Sequence, residues 1–473
     1  MKIIMRTLVL LVLINAVLLY MHYSQMEGAA GKGSETATYD QEIEVTQRND
    51  GLYIRQHFKG LENGRYEIVW PEQSENEACY IKDKSSCTRM NDSVTAILEG
   101  DAAEQSISYQ IPIKSSDSSN LYENLFAKLR NGTVGTTMLH VTDETNSGGV
   151  WISELDRIGT KKLNRIEYTM FYGNGKADLL YWQNKELPEA YRSEQISIFG
   201  NGVHKEQAAR LQGLLKKVDA PHMTVVVGAN QKPFMKGRLV LTDQVDTELL
   251  EGRLVQYGVM ARYGIASSER MTANIAASLL IGEPYGNGAA KKAYEKITEK
   301  LSATQLEQLN KKLGSTSKLE PQTMDQLIGE VSGLKTTFLE HAADEQYGFY
   351  FEDPRELKIN GEKAENISVL LEDGQVFYSG KEFFSQLGYT LESNQQSIYV
   401  TNESNKYRFS LRDPFYVLNE RKYSLRTEPY KKMNGTYYFE EDAIKRIFSL
   451  KIEKTDGAID VSSAEGKEGE TDK

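Results

Sequence analysis

The feature that most constrains this chain is a pattern that occurs twice. Residues 373–392 read DGQVFYSGKEFFSQLGYTLE, and residues 434–453 read NGTYYFEEDAIKRIFSLKIE. The segments align without a gap at an offset of 61 positions (434 − 373), pairing Asp373 with Asn434, Gly374 with Gly435 and Phe377 with Tyr438. In each copy a turn opens a short aromatic strand, a helix follows, and another strand closes the unit. Phe383 and Leu387 correspond to Ile444 and Phe448. At i, i+4 spacing these side chains share one helix face, and that face needs a sheet to cover it. The chain therefore ends in a small α+β domain whose halves bury their apolar faces against each other.

This repeat resembles the copper amine oxidase N-terminal-like domain, also called the stalk domain, a module common in secreted proteins of Gram-positive bacteria. The family's helix ending in Leu-Gly and the strand after it are found in FFSQLGYTLE and again in AIKRIFSLKIE, where Phe448-Ser449 replaces Leu387-Gly388. The resemblance covers residues 367–453. It implies an extracytoplasmic accessory module, not an oxidase. The oxidase's catalytic domain needs a tyrosine within Asn-Tyr-Asp/Glu and copper-binding histidines. This chain has no such motif and no histidine after His341. No cofactor is expected.

The N-terminus reads MKIIMRTLVLLVLINAVLLYMHY, with Lys2 and Arg6 ahead of an uncharged run from Thr7 to Met21. Positive charge before an apolar stretch keeps the N-terminus inside and sends the rest outward. A full span takes roughly 20 residues, a length reached when Arg6 snorkels. Residues 1–23 are therefore expected to be a signal-anchor, with a signal peptide cleaved near GAAG (28–31) as the alternative. The expected location is the cell membrane, single-pass with extracytoplasmic bulk, or secreted after cleavage. Cys79 and Cys87 bracket a polar, turn-prone loop, and in an oxidising compartment such a pair is expected to close a disulfide.

The rest divides by pattern. Residues 24–38 form a polar linker; 39–114 carry alternating strands of a β-sandwich-like domain; KSSDSSN (114–120) is a joint; 121–246 are mixed α/β; and 247–345 are helical. NRIEYTMFYGNGKADLLYWQ reads as a hairpin turning at Gly173-Asn174-Gly175. SATQ (302–305) and TMDQ (323–326) have capping-box spacing. The tail, 454–473, has almost no apolar content and is expected to be disordered. The fold class is thus α+β multidomain: an N-terminal β-sandwich-like domain, a central mixed then helical region, and a C-terminal small α+β repeat domain.

The layout of residues 39–345 resembles the thermolysin-like aminopeptidases (gluzincins). Those enzymes bind zinc through H-E-x-x-H on one helix, with a Glu further along as third ligand. The segment LEGRLVQYG (Leu250–Gly258) fits that frame at Glu251, Tyr257 and Gly258, but Leu250 and Leu254 stand at the histidine positions and Ala273 at the third-ligand position. The resemblance implies a peptidase layout without its metal, and no metal ligands are expected. His22, His57, His140, His204, His222 and His341 are scattered without ligand spacing. No serine sits in a G-x-S-x-G elbow. FGNGVHK lacks the third Gly of a dinucleotide fingerprint and the G-K-[ST] of a P-loop.

One surface is a candidate for binding. Between Thr401 and Gly435 there are eight basic and four acidic side chains in a chain whose formal charge is −11. That overall charge excludes an ordinary nucleic-acid binder. Tyr407, Arg408, Arg412, Arg421 and Lys422 would form a basic aromatic face. The expected partner is an anionic cell-wall polymer, a membrane surface or an envelope protein. The expected function is that of a membrane-anchored, extracytoplasmic, non-catalytic binding or scaffold protein of a Gram-positive-type envelope, a metal-free pseudopeptidase and not an enzyme. The alternative is an extracytoplasmic hydrolase or peptidase-related enzyme.

Overall fold

In the computed structural model, residues 37–61, 65–81, 85–86, 97–99, 105–113, 118–145, 148–230, 232–243 and 247–463 are described. They divide between two units: one runs to Ala208 and resumes at Pro221, while the other comprises Ala209–Ala220 and the chain beyond 246.

The first unit is built on an eight-stranded sheet in the order Asp156–Lys162, Glu167–Asn174, Gly132–Asp143, Ala37–Arg48, Gly51–Lys59, Gln105–Pro112, Glu75–Ile81 and Ser85–Ser86. Alternation sets its faces. In Ala37–Arg48, Ile43 and Val45 are buried while Glu42 and Glu44 are not, as period-2 side chains require. The inner face carries Ile54, Phe58, Ile107, Tyr109, Leu139 and Phe171. The layer continues past residue 114, because Gly132–Asp143 pairs in parallel with Ala37–Arg48.

The hairpin expected at 173–175 does not form. Glu167–Asn174 pairs with Gly132–Asp143 and Asp156–Lys162, whereas Leu179–Gln183 joins Val150–Ser153 and Ser119–Glu123 in another sheet. The reason is burial. All five residues of Leu179–Gln183 are buried, so this strand needs cover on both faces. The chain turns through Gly175 at φ +75 and enters a different layer. A five-stranded sheet follows, in the order Glu189–Arg192, Ile196–Phe199, Met223–Val227, Leu239–Thr242, Phe234–Lys236. Its parallel neighbours Ile196–Phe199 and Met223–Val227 are joined through helix α1 (Lys205–Lys217), the long crossover that parallel pairing demands.

From residue 247 the second unit continues with five helices: α2 (Thr247–Tyr263), α3 (Arg270–Ile281), α4 (Gly288–Lys300), α5 (Ala303–Ser315) and α6 (Pro321–Ser332). Ser302 and Gln305 form both halves of the capping box before α5. TMDQ does not cap: α6 starts earlier, with Pro321 in its first turn, where a missing N–H costs nothing. Gly333, at φ +73, ends α6. Among the described residues no helix is long and apolar enough to cross a membrane. The longest of the five helices, α2, has 17 residues and carries Glu251, Arg253 and Arg262. The expectation of a single-pass membrane protein is corrected to this extent alone: no described helix spans, and the segment 1–23 on which the expectation rested lies outside the described residues.

The repeat is a structural one. Strands Gln375–Ser379 and Thr436–Glu440, and helices α7 (Gly380–Gln386) and α8 (Glu441–Ile447), keep the 61-residue offset at both ends. The two strands pair with each other at the centre of a five-stranded sheet, in the order Phe351–Glu352, Val369–Glu372, Gln375–Ser379, Thr436–Glu440, Tyr430–Met433. Asp373-Gly374 and Asn434-Gly435 turn the flanking hairpins with φ values of 49, 77, 47 and 84, as a tight two-residue turn demands. Phe383, Phe384, Ile444, Ile447, Phe439 and Phe448 meet in one core. Part of the expected tail is ordered: Ala458–Ser463 is a strand pairing in parallel with Glu356–Ile359, because its Ile459 and Val461 enter that core. Residues 464–473 lie outside the described residues.

Candidate functional site

The frame at 250–258 lies on α2. Leu250 and Leu254, one turn apart, are 9% and 0% exposed, and Ala273 on α3 is 0% exposed. Three hydrocarbon side chains thus occupy the places where a gluzincin-type centre needs nitrogen and oxygen donors, and zinc does not fit them. Among the described residues no group of three or more His, Cys, Asp or Glu could hold a metal ion. Gly258 is required by packing, since a Cβ there would meet Ala220 Cβ at 2.8 Å and Leu215 Cδ2 at 3.1 Å.

Glu251, at the acid's place in the frame, does have polar partners. Arg210 grips it with a fork, Nε at 3.0 Å from Oε2 and Nη2 at 3.1 Å from Oε1, the bidentate geometry guanidinium suits. Tyr285 stands near this pair; burial first, then the Glu251 and Glu283 charges, pushes its phenol up to about 12. Beside them Gln256 Nε2 donates to Asn274 Oδ1 at 2.9 Å, and the buried Ser278 hydroxyl accepts from the Tyr285 N–H at 2.8 Å. Gly286 adopts φ +91, and its Cβ would strike Asn274 Nδ2 at 2.4 Å. Arg210 and Tyr285 were invisible to motif reasoning, because they stand 41 and 34 positions from Glu251.

Of the described histidines, His57 and His140 both neighbour Glu42, and the others stand apart. His140 Nε2 lies 3.1 Å from Glu42 Oε1. His222 is buried, with Nδ1 3.0 Å from the Glu194 carbonyl, and burial holds its imidazole below the ordinary range. His204 and His341 are exposed, and His22 lies outside the described residues.

The basic aromatic segment forms a second five-stranded sheet of the C-terminal domain, Thr390–Ser393, Ser397–Thr401, Lys406–Ser410, Phe415–Leu418 and Arg421–Ser424 in chain order. Its pleat divides the five residues of the expected face. Tyr399, Arg408, Val417 and Lys422 stand opposite one another across four strands, so Arg408 and Lys422 share one face. Tyr407, Leu418 and Arg421 form the adjacent row, which points the other way. Tyr407 is 5% exposed and belongs to the core; burial, then Tyr389 and Tyr416, pushes its phenol up to about 12. Arg412 lies in the turn between two strands and is exposed. On the Arg408 face an open depression of about 490 Å3 is lined by Tyr399, Lys406, Arg408, Val417, Asn419 and, at its rim, Glu420. The Lys422 ammonium sits 4.0 Å above the Phe415 ring. Among the described residues none of Lys406, Arg408, Arg412, Arg421 and Lys422 forms a salt bridge, whereas the nearby Lys431 pairs with Glu372 and Lys445 with Glu441.

Cys79 is buried in Glu75–Ile81, opposite Ile107, and among the described residues no cysteine is free. Cys87 lies outside the described residues.

Known proteins resemble parts of this architecture. No curated protein matches the sequence. Among solved structures, an M1 zinc metallopeptidase from Deinococcus radiodurans is similar at a TM-score of 0.41 and 10% identity, covering 65% of this chain and 92% of that one. A mutant of the enzyme gives a TM-score of 0.42 at 10% identity with the same coverage. The mutant with a Tyr-Ser-Ala substrate gives 0.40 at 12% identity, again with the same coverage. At such identity the likeness concerns the fold alone. These neighbours are peptidases, and the expectation that the chain is not an enzyme is withdrawn, while the likeness itself assigns the chain no activity. The repeat has a firmer counterpart: residues 358–462 match the family described as the copper amine oxidase N-terminal domain.

Proposed function

We propose that the C-terminal domain is the ligand-engaging part of this chain and that its ligand is an anionic wall polymer. One observation carries the reading. Arg408 and Lys422 share an open sheet face with Lys406 beside them, and none of the three has a carboxylate partner among the described residues. Exposed cations with no internal partner are free to neutralise a polyanion, and rings such as Tyr399 and Phe415 beside them suit a sugar-phosphate or uronate backbone. Arg412, in the adjoining turn, extends the same positive field. Tyr407 supports the sheet from within, and Arg421 adds charge from the opposite face. The test is binding of the full chain to purified teichoic acid at low and high salt. Arg408→Glu combined with Lys422→Glu abolishes a salt-sensitive interaction while the thermal midpoint stays unchanged; equal binding by the double variant overturns the reading.

A second reading, a peptidase-related hydrolase, is favoured by the Glu251, Arg210 and Tyr285 arrangement. Hydrolysis of a peptide library by the wild type, lost in Glu251→Gln, supports it; rates that the substitution leaves unchanged remove Glu251 from it. We further propose that Cys79 and Cys87 are joined. Alkylation of the non-reduced chain then finds no thiol, and reduction exposes two.

A further inference from the structure

The two halves of the repeat differ at the outer edges of their shared sheet. In the first half, Val369–Glu372 is not an edge. Phe351 pairs with Leu371 and Glu352 with Leu370, and the Asp353 N–H donates to the Val369 carbonyl at 2.8 Å. The counterpart strand, Tyr430–Met433, is the last in the sheet. It sits on its neighbour in the equivalent register, Tyr430 opposite Phe439 as Val369 is opposite Tyr378. The Glu440 N–H donates to the Pro429 carbonyl at 3.0 Å, as the Ser379 N–H donates to the Ser368 carbonyl at 3.0 Å.

In a hairpin closed by a two-residue turn, the residues flanking the turn, Met433 and Thr436, exchange hydrogen bonds with each other. Successive pairs then alternate, so Lys432 and Tyr430 direct their N–H and C=O groups away from the sheet. Leu371 and Val369, their counterparts 61 positions earlier, direct theirs toward Phe351–Glu352.

The covering segment has a partial echo 60 positions on (411 − 351), one short of the repeat offset, that shares its Asp-Pro. Phe351-Glu352-Asp353-Pro354 is echoed by Leu411-Arg412-Asp413-Pro414. In the second copy this stretch serves as the turn between Lys406–Ser410 and Phe415–Leu418. The Asp413 N–H goes to Ser410 Oγ at 3.1 Å and not to Tyr430. Among the described residues no backbone hydrogen bond joins it to Tyr430–Met433. An open cleft of about 510 Å3 lies beside this edge, its lining including Glu372, Leu411, Glu428, Tyr430, Lys432 and Met433.

We propose that the free edge Tyr430–Met433 binds an extended, carboxylate-bearing peptide segment of a partner protein by strand addition, as its repeat counterpart binds Phe351–Glu352. Outward N–H and C=O groups supply the affinity, and pockets for alternate side chains supply the selectivity. Lys432 lines this cleft, is exposed and has no salt bridge among the described residues, whereas the neighbouring Lys431 is already paired with Glu372; Lys432 therefore selects for acid in the incoming strand. Its charge also disfavours a second copy of the same edge, which would bring like charges together.

The probe is a fluorescent peptide with the sequence of residues 347–354, YGFYFEDP, titrated into the full chain and followed by anisotropy. Lys432→Pro removes one outward N–H and no bond to Thr436–Glu440, and it weakens binding at least about tenfold. Lys432→Ala keeps the N–H and weakens it less than about threefold. A peptide N-methylated on alternate residues fails to bind even if Lys432→Pro does not fold. No binding by the parent peptide, equal binding by the N-methylated one, or dimerisation of the chain through this edge each overturns the proposal.

Discussion

Tyr378 and Phe439 are cross-strand partners and also repeat counterparts, 61 positions apart (439 − 378). A residue can pair with its own counterpart only where a local two-fold axis passes between the two strands, so the duplication is built around this contact. The halves differ in polarity there. The Tyr378 hydroxyl donates to Glu441 Oε2 at 2.9 Å, and Glu441 is also held by Lys445 and Lys454. Phe439 has no such acceptor, because Gly380 stands at the counterpart of Glu441. A Cβ at Gly380 would lie 2.9 Å from the Tyr437 carbonyl and 3.0 Å from both Leu391 and Phe439.

This asymmetry predicts opposite-sense substitutions with the same sign. Tyr378→Phe removes a hydrogen bond to a charged acceptor and lowers stability by about 1–3 kcal/mol. Phe439→Tyr buries a hydroxyl with nothing to receive it and costs a similar amount, about 1–3 kcal/mol. Urea denaturation of both variants checks the pair. Stabilisation by Phe439→Tyr would show that an acceptor is within reach after all.

The left-handed positions predict gains. Gly388 adopts φ +79, and its counterpart Ser449 adopts φ +53 although it carries a Cβ. Asn419-Glu420, the turn between Phe415–Leu418 and Arg421–Ser424, has φ +45 and +72, where Asn-Gly is preferred. Ser449→Gly and Glu420→Gly should each raise stability by as much as about 1 kcal/mol, while Gly388→Ala lowers it by at least that much. The thermal midpoints of the three variants decide it. An unchanged Gly388→Ala would remove the strain argument.

Asp325 predicts a pH dependence. Its side chain is buried on α6 and accepts N–H bonds from Leu339 at 2.9 and 3.0 Å and from Glu340 at 3.1 Å. Burial nevertheless pushes its carboxyl from 3.8 up to about 7. The folded chain therefore binds more protons here than the unfolded one between those values. The contribution to stability is fully present below about pH 4 and is lost as pH rises to about 7. Asp325→Asn keeps an acceptor oxygen and removes the titration. Its midpoint relative to the wild type should climb from pH 4 to 7 and level off above. Parallel curves would exclude the group.

Local pattern made the repeat and its turns readable, because helix face, strand and Asn/Asp-Gly turn all recur within one 61-residue unit. It also made the Ser302 cap readable, where donor and acceptor sit three residues apart. Other features depend on distant partners. Gly173-Asn174-Gly175 looks like any hairpin turn, and only the fully buried Leu179–Gln183 shows that the chain changes sheets. Composition grouped Tyr407, Arg408, Arg421 and Lys422 into one face, but the pleat alternates them and only the register assigns each to its side. The Arg210 fork on Glu251 joins two helices and has no sequence signature. The free edge at Tyr430–Met433 is legible only by comparing two strands that the sequence presents as equals.

The last prediction concerns the limits of the C-terminal domain as an independent folding unit. The expected module, 367–453, contains both helices and the pseudo-two-fold strand pair. It omits Glu356–Ile359 and Ala458–Ser463, which pair with each other in parallel from opposite ends of the domain. Leu357, Ile359, Ile459 and Val461, between 0% and 5% exposed, belong to the same core as Phe383 and Phe448. At about 25 cal/mol per Å2 of apolar surface, losing four such side chains removes several kcal/mol, comparable to the whole stability of a small domain. A fragment spanning 351–463 should therefore unfold cooperatively in urea with dispersed amide resonances, whereas 367–453 should give a shallow, non-cooperative transition. Cooperative folding of the shorter fragment would mean that the parallel pair is an appendage and the two-fold centre suffices. Failure of the longer one would place part of its core in the helices between 247 and 350.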